Sequence, residues 1–171
     1  LKAMITIKNL INLKGRRAMI TGATGGLGKV MAHTLAELGA DLVLVDQKSS
    51  DFNTLSENLT ECWGIKVDHQ ICDLEQQTQR TELMNRLKVN GQGLNILINN
   101  AAFLGTSDLQ GWTVPFEEQT LETWRRALEV NITSIFELCQ GLTPILKTSE
   151  NSSIINIASI YGMFGPDWSL Y

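Results

Sequence analysis

The sequence lacks an uninterrupted apolar run of 18 residues, the length at which a membrane-spanning helix becomes a candidate. Basic charge is also scarce, because 14 Lys and Arg face 18 Asp and Glu and leave a net charge of −4 at pH 7. Such a balance provides no basic field that would attract nucleic acid. The first residues carry lysines but no apolar signal-peptide block. These absences predict a cytoplasmic protein with no nucleic acid or membrane partner.

Cysteine is equally limited. Cys62, Cys72 and Cys139 are odd in number and lack the Cys-x-x-Cys spacing of metal and redox sites. We therefore predict no metal site and interpret the three cysteines as reduced thiols in the protein core.

What the sequence does contain is a single globular unit. Its 171 residues are 43% hydrophobic, and no linker or repeat divides them, so we predict one domain over residues 1–171. Short β-branched runs alternate with longer periodic segments, as in repeated βαβ units around a parallel sheet. Five strands, each expected to be buried on both faces, are predicted at residues 18–21, 41–45, 66–72, 95–99 and 154–158. Helices are predicted at 26–38, 74–88 and 121–147, with Pro144 a possible kink or early end of the last.

The strongest chemical signal lies directly after the first strand, in the segment Thr21-Gly22-Ala23-Thr24-Gly25-Gly26-Leu27-Gly28. Gly22 permits a tight turn, Gly26 allows the backbone to approach a pyrophosphate, and Gly28 allows the helix to pack close to the sheet. The N-terminus of that helix would offer unpaired N–H groups and a positive dipole end to phosphates. A strand, a glycine turn and a helix in this order predict a dinucleotide site.

The second strand ends at Asp46, where a dinucleotide fold needs a carboxylate to accept hydrogen bonds from the adenosine ribose. The same carboxylate would repel a 2′-phosphate. The position before Gly26 is Gly25 rather than a basic residue, and Lys48 is the one nearby cation. The sequence therefore predicts NAD as the cofactor, with NADP less favoured.

The glycine spacing resembles that of the short-chain dehydrogenase/reductase family. Four further segments match the family in the same order: Asp73-Leu74, Asn99-Asn100-Ala101-Ala102, Asn131 within Glu129-Val130-Asn131-Ile132, and Ser159 within Asn156-Ile157-Ala158-Ser159. Ala102 departs from the family's glycine. The resemblance covers roughly residues 13–159.

The resemblance implies a Rossmann-like doubly wound parallel sheet of strand order 3-2-1-4-5. It also implies hydride transfer between a nicotinamide ring and a small-molecule alcohol or carbonyl carbon, and a homodimer or homotetramer in the full-length protein. The catalytic residues it assigns are Ser159 and Asn131. The cofactor-binding residues that motif and resemblance together assign are Gly22, Thr24, Gly25, Gly26, Leu27, Gly28, Asp46, Asp73, Leu74, Asn100, Ala101 and Ala102.

Family members also carry a Tyr-x-x-x-Lys pair after the serine, in which tyrosine is the acid/base and lysine lowers its pKa. Tyr171 lies 12 positions after Ser159 but has no following lysine here, and an extended loop could place the pair further on. We expect Ser159 to be catalytic and Tyr171 not to be. We also expect the 171 residues to lack the family's last strands and to be a poor catalyst alone.

Several alternatives stay open at this point. The protein could be a reductase of 3-oxoacyl or sugar-derived ketones within the same family, a non-catalytic dinucleotide-binding regulatory module, or a structural oligomerisation domain. Residues 103–118, with Trp112, Pro115 and Phe116, could line the site or only cover the core.

Overall fold

The computed structural model describes residues 6–47, 52–104 and 109–163, apart from the side chain of Lys8. Its centre is a parallel sheet of five strands in the order β3-β2-β1-β4-β5. The strands are β1 (Arg17–Thr21), β2 (Asp41–Asp46), β3 (Val67–Ile71), β4 (Ile96–Asn99) and β5 (Ser153–Asn156). The predicted doubly wound sheet and its strand order are therefore confirmed.

Helices cover both faces of this sheet. They are α1 (Ile7–Leu10), α2 (Gly26–Glu37), α3 (Phe52–Trp63), α4 (Gln77–Val89), α5 (Leu121–Leu128) and α6 (Ser134–Lys147), with short 3₁₀ turns at Phe116–Glu118 and Ile160–Gly162. Alternating strand side chains divide the core in two, because successive residues of a strand point to opposite faces. Ile20 and Leu44 pack with α2 and α3 on one face, whereas Met19, Val43 and Leu97 pack with α4 and α6 on the other.

Helix α3 was not among the predicted helices. Its sequence is largely polar, yet Phe52, Leu55 and Leu59 are buried at helical spacing and anchor it against β3 and α2. Pro144 does not end the last helix early, because α6 continues through it to the predicted end at Lys147. Thr143 Oγ1, one residue before the proline, donates to the Cys139 carbonyl oxygen at 2.6 Å.

The expectation that all five strands are buried on both faces is wrong for the two outer strands. Ile71 in β3 is 52% exposed, and Ile155 in β5 is 44% exposed. Both strands lie at the edges of the five-stranded sheet, where one side has no neighbouring strand among the described residues. The three central strands are buried, as predicted.

The cysteine prediction holds only in part. Cys72 is buried and Cys139 half-buried, whereas Cys62 is exposed on α3. No disulfide joins them. Within residues 6–47, 52–104 and 109–163, no helix has the length and apolar character to cross a membrane, and no group of His, Cys, Asp and Glu has the arrangement of a metal site.

Candidate functional site

The glycine turn after β1 begins the site, and its glycines are needed for two different physical reasons. Gly22 has φ +64°, and a Cβ there would lie 2.9 Å from the Cα of Ala101. A Cβ on Gly28 would collide with the Gly22 carbonyl oxygen and lie 2.8 Å from the Cα of Ala23. By contrast, a Cβ on Gly26 would meet no described atom within 4 Å. The missing side chains of Gly22 and Gly28 thus allow backbone segments of the protein to pack closely together. The missing side chain of Gly26 instead leaves open space beside the turn.

The turn is locked to the end of β4 by Asn100. Its Nδ2 donates to the carbonyl oxygens of Thr21, at 3.0 Å, and Gly22, at 3.1 Å. In return, Thr21 Oγ1 accepts from the backbone N–H groups of Asn100 and Ala101. Thr21 is buried. Sequence reasoning placed Thr21 at the end of the first strand and in the glycine turn but gave it no such contact, although a threonine facing an Asn-Ala pair across the sheet can provide this link.

Asp46, at the carboxyl end of β2, faces the same turn. Its Oδ2 accepts from the backbone N–H of Thr24 at 3.0 Å and from Thr24 Oγ1 at 2.8 Å. Its Oδ1 accepts from the backbone N–H of Gln47 at 2.7 Å. The carboxylate is only half-buried, so a ligand can reach the lone pairs that these donors leave. Lys48, the nearby cation of the sequence, lies outside the described residues.

Asp73 and Leu74 follow β3 at the same edge of the sheet. Asp73 Oδ1 accepts from Gln47 Nε2 at 3.1 Å and from the backbone N–H of Glu75 at 3.0 Å. Leu74 has its side chain buried in the core and its carbonyl oxygen bonded to Arg80. The ends of β2 and β3 are thus connected through Gln47, and the cofactor-binding role of Leu74 stays a prediction.

Asn131 lies in a π-helical turn, Glu129–Thr133, between α5 and α6. The N–H of Ser134 donates to the carbonyl oxygen of Glu129, five residues back, and Ser134 Oγ donates to the Val130 carbonyl oxygen at 2.6 Å. The buried serine thereby satisfies the carbonyl that its own N–H would bond in an α-helix. Asn131 is half-buried rather than enclosed, and its Oδ1 accepts from the backbone N–H of Phe103 at 2.7 Å.

The segment after β4 packs against this helix with aromatic side chains. The rings of Phe103 and Trp112 meet edge to face at 5.2 Å, and the Arg126 guanidinium lies 5.4 Å from the centre of the Phe103 ring. Trp112 Nε1 donates to the Leu104 carbonyl oxygen at 3.0 Å, whereas Phe116 is 86% exposed. Residues 105–108 of this segment lie outside the described residues.

Ser159 follows β5 and is exposed at the same edge. It caps the 3₁₀ turn Ile160–Gly162, where its Oγ accepts from the backbone N–H of Tyr161 at 3.2 Å. Because that contact uses a lone pair, the hydroxyl proton can still be donated. The carboxyl end of β5 is held beside β4 by the N–H of Ile157, which donates to the Asn99 carbonyl oxygen at 2.9 Å. Tyr171 lies outside the described residues.

The two thiols near this edge are unreactive in character. Burial raises the pKa of Cys72, beside Asp73, to about 11. Burial also raises the pKa of Cys139, and the hydrogen bond from Asn99 Nδ2 to its sulfur only partly offsets that rise. Both remain neutral at physiological pH, so neither offers the thiolate that nucleophilic chemistry needs.

The structure therefore brings the glycine turn, Asp46, Asp73 and Asn100 together in one hydrogen-bonded edge. The remaining cofactor candidates lie on the same segments: Gly25 and Leu27 are exposed at the start of α2, and Ala101 and Ala102 follow Asn100. Ser159 shares the edge through β5, and Asn131 is connected to it through Phe103.

Comparison with known proteins agrees with this arrangement. A sequence profile described as short chain dehydrogenase matches residues 16–171, nearly the whole chain. The protein therefore belongs to the short-chain dehydrogenase family.

Individual relatives extend beyond the part matched here. A tropinone reductase homologue of Arabidopsis thaliana is 35% identical over 168 residues, which are 96% of this chain and 59% of that protein. A second relative is L-sorbose reductase from Gluconobacter frateurii, whose crystal structure was determined with NADPH and L-sorbose. It matches with a TM-score of 0.81 at 26% identity, and the match covers 92% of this chain and 57% of that chain. The crystal structure of a bulky-bulky ketone specific alcohol dehydrogenase from Comamonas testosteroni matches with a TM-score of 0.76 at 29% identity. The match covers 88% of this chain and 57% of that chain. The chain thus spans less than two thirds of the length of these relatives.

Proposed function

We propose that the full-length protein is an oxidoreductase that transfers a hydride between a nicotinamide dinucleotide and a small alcohol or ketone, with NAD(H) preferred over NADP(H). The observation that carries this proposal is the Asp46 carboxylate, fixed by Thr24 at the end of β2 beside the glycine turn. A carboxylate at that position suits the hydroxyl groups of an adenosine ribose.

The residues of the turn fit a dinucleotide pyrophosphate. Gly25 and Gly26 are exposed at the N-terminus of α2, where helix N–H groups and the positive dipole end favour an anion. The space next to Gly26 is the second support, because no described atom would contact a Cβ there. Backbone N–H groups can therefore approach phosphate oxygens without an intervening side chain.

The ribose end supports NAD(H). Thr24 contributes both its backbone N–H and its hydroxyl to Oδ2 of Asp46, so the carboxylate has a fixed position. With the Gln47 N–H on Oδ1, about one of its four acceptor sites is left for a ribose hydroxyl. A 2′-phosphate would bring negative charge towards it, and Gly25 supplies no compensating cation. The similar L-sorbose reductase was crystallised with NADPH, so NADP(H) is the alternative cofactor against which the preference has to be tested.

At the reacting end, a bound nicotinamide would supply the hydride chemistry, and the residues of this chain would orient the substrate. Ser159 Oγ can donate its proton to a substrate oxygen, because its own acceptor contact is with the Tyr161 N–H. Asn131 is oriented by the Phe103 N–H at Oδ1, which directs the remaining amide donors elsewhere. By the resemblance, Asn131 would hold a water in the proton relay.

The substitution Asp46→Asn tests the cofactor preference, because asparagine keeps an acceptor for Thr24 and loses the charge. Two unit charges 4 Å apart interact by about 1 kcal/mol even in water, which is about fivefold in Kd. We expect wild-type protein to bind NADH more tightly than NADPH, and Asp46→Asn to narrow that ratio at least about fivefold.

The matched control is Asp41→Asn, a change of the same chemistry at the opposite end of β2, where Asp41 accepts from the Lys66 N–H. It should leave both dissociation constants unchanged. Titration of the wild type and both variants with NADH and NADPH, at one fixed salt concentration, measures all six dissociation constants. Tighter binding of NADPH by the wild type, or an unchanged ratio in Asp46→Asn, would contradict the assignment.

A further inference from the structure

Arg80 is the most deeply buried charged side chain of the described residues. It projects from α4, has 0% exposure, and its guanidinium makes three contacts with other segments. Nε donates to Glu137 Oε2 at 2.6 Å, Nη2 donates to Glu129 Oε1 at 2.5 Å, and Nη1 donates to the Leu74 carbonyl oxygen. One side chain therefore connects α4 to the turn after β3 and to two points of the α5–α6 helix.

The two carboxylates stand on either side of the π-helical turn. Glu129 is its first residue, and Glu137 lies on α6, eight positions later. In an uninterrupted α-helix, side chains eight residues apart point about 80° away from each other. A π turn accommodates one extra residue. Across it, Glu129 and Glu137 are oriented as residues seven apart would be in an α-helix, so their side chains point within about 20° of the same direction. The guanidinium can bridge both carboxylates because the π turn brings them onto the same face.

The π turn also carries Asn131, whose Oδ1 accepts from the Phe103 N–H. A second ion pair supports the same helix just before the turn: Arg126 Nε donates to Glu75 Oε1 at 2.6 Å, and Nη2 donates to Oε2 at 3.2 Å. Glu75 is adjacent to Leu74, the residue whose carbonyl Arg80 holds. The turn after β3 and the helix around Asn131 are thus joined twice.

We propose that Arg80 is a positioning residue, which holds the π turn in register and so fixes Asn131 for the reaction. This inference rests on the proposed function, because Asn131 has a role only if the site is catalytic. It assigns Arg80 no contact with substrate or cofactor.

A stabilising role alone accounts poorly for this arrangement. Removing a charge from water is costly, and apolar residues of similar volume often stabilise a core as well as a buried ion pair does. The best-attested use of such groups is to select one register among several. A guanidinium offers donors in a fixed planar fork, which suits two carboxylates and a carbonyl at set positions.

The direct test measures hydrogen exchange at the Phe103 N–H, the donor to Asn131, in the full-length protein. Overlapping peptides that isolate residues 102–104 give this rate by mass spectrometry. The measured loss of global unfolding free energy in Arg80→Met gives the rise in exchange rate that destabilisation alone would cause. We expect the Phe103 N–H of this variant to exchange at least tenfold faster than that. The control Arg17→Met removes another buried arginine, which pairs with Asp68 at 3.2 Å at the amino end of the sheet, and should show no such excess.

A kinetic measurement provides the second readout. With both substrates saturating, kcat of Arg80→Met should fall at least tenfold, whereas the KM for the dinucleotide should change by less than threefold. If Arg80→Met does not fold, Glu129→Leu replaces it as the test, because this variant leaves Arg80 paired with Glu137. Exchange at the Phe103 N–H should then be about threefold or more above that explained by stability. Glu82→Leu, at an exposed position on α4, is its control.

The two readouts separate this inference from the proposed function. Excess exchange at Phe103 in the arginine variant but not in its control supports the positioning role, and the fall in kcat without a matching rise in KM extends it to the reaction. Exchange equal to that of the control after correction for stability overturns it. Wild-type protein that shows no turnover overturns the proposed function, and with it the catalytic meaning of the position, whatever the exchange result.

Discussion

Replacing Gly26 with alanine should have opposite effects on folding and on ligand binding. Gly26 is the first residue of α2, and the added methyl group would meet no described atom within 4 Å. A glycine replaced by alanine at a compatible position stabilises a protein by about 0.4–1 kcal/mol, mainly because the unfolded chain loses freedom. The methyl group would nevertheless occupy the space through which a pyrophosphate must approach the backbone.

The loss of one hydrogen bond to a charged group, about 1.5–3 kcal/mol, corresponds to a rise in Kd of about 10- to 150-fold. Denaturation without ligand, at one protein concentration, and titration with NADH measure the two effects. Thr34→Ala on the same helix is the control, since it removes a residue of lower helix propensity at an exposed position distant from the turn. It should stabilise the protein without changing Kd. A folded Gly26→Ala protein with wild-type affinity would refute the pyrophosphate position.

Two further predictions concern the full-length protein. Ser159→Ala should lower kcat about 10²-fold with dinucleotide affinity retained, as loss of a positioned proton donor typically does. The kcat of Tyr171→Phe should stay within a few-fold of the wild-type value. The reverse pattern in steady-state kinetics would make Tyr171 the acid/base. The α5–α6 helix exposes Trp124 (59%) and Phe136 (63%), so we expect self-association through this face. Sedimentation should then show a dimer or tetramer that Phe136→Glu weakens, and a wild-type monomer at micromolar concentration would contradict it.

The central part of the fold was accessible from the sequence because its signals are local. The apolar runs of β1, β2 and β4 and the glycine turn before α2 each fall within a few residues. Helix α3 had a signal too, in the spacing of Phe52, Leu55 and Leu59, but its many polar residues obscured it. The exposure of β3 and β5 depends on how other segments cover the faces of these edge strands, which no local pattern specifies.

The candidate site divides in the same way. Asp46 and the glycines stand at fixed distances from a strand end, so spacing alone placed them. The partners that fix these groups, such as Thr24 for Asp46 and Phe103 for Asn131, are contacts between separate segments. The π turn was the least predictable feature, because it depends on Ser134 bonding back to Val130 and on Arg80 from another helix.

The amide of Asn100 has a consequence for how a ligand would bind. By donating to the carbonyl oxygens of Thr21 and Gly22, it ties the turn after β1 to the end of β4 before any ligand arrives. The conformational entropy of ordering this turn is then lost during folding rather than during association, so more of the contact energy would appear as affinity. A dinucleotide would meet a nearly rigid surface here, and its association rate would be set by diffusion and electrostatics rather than by loop closure.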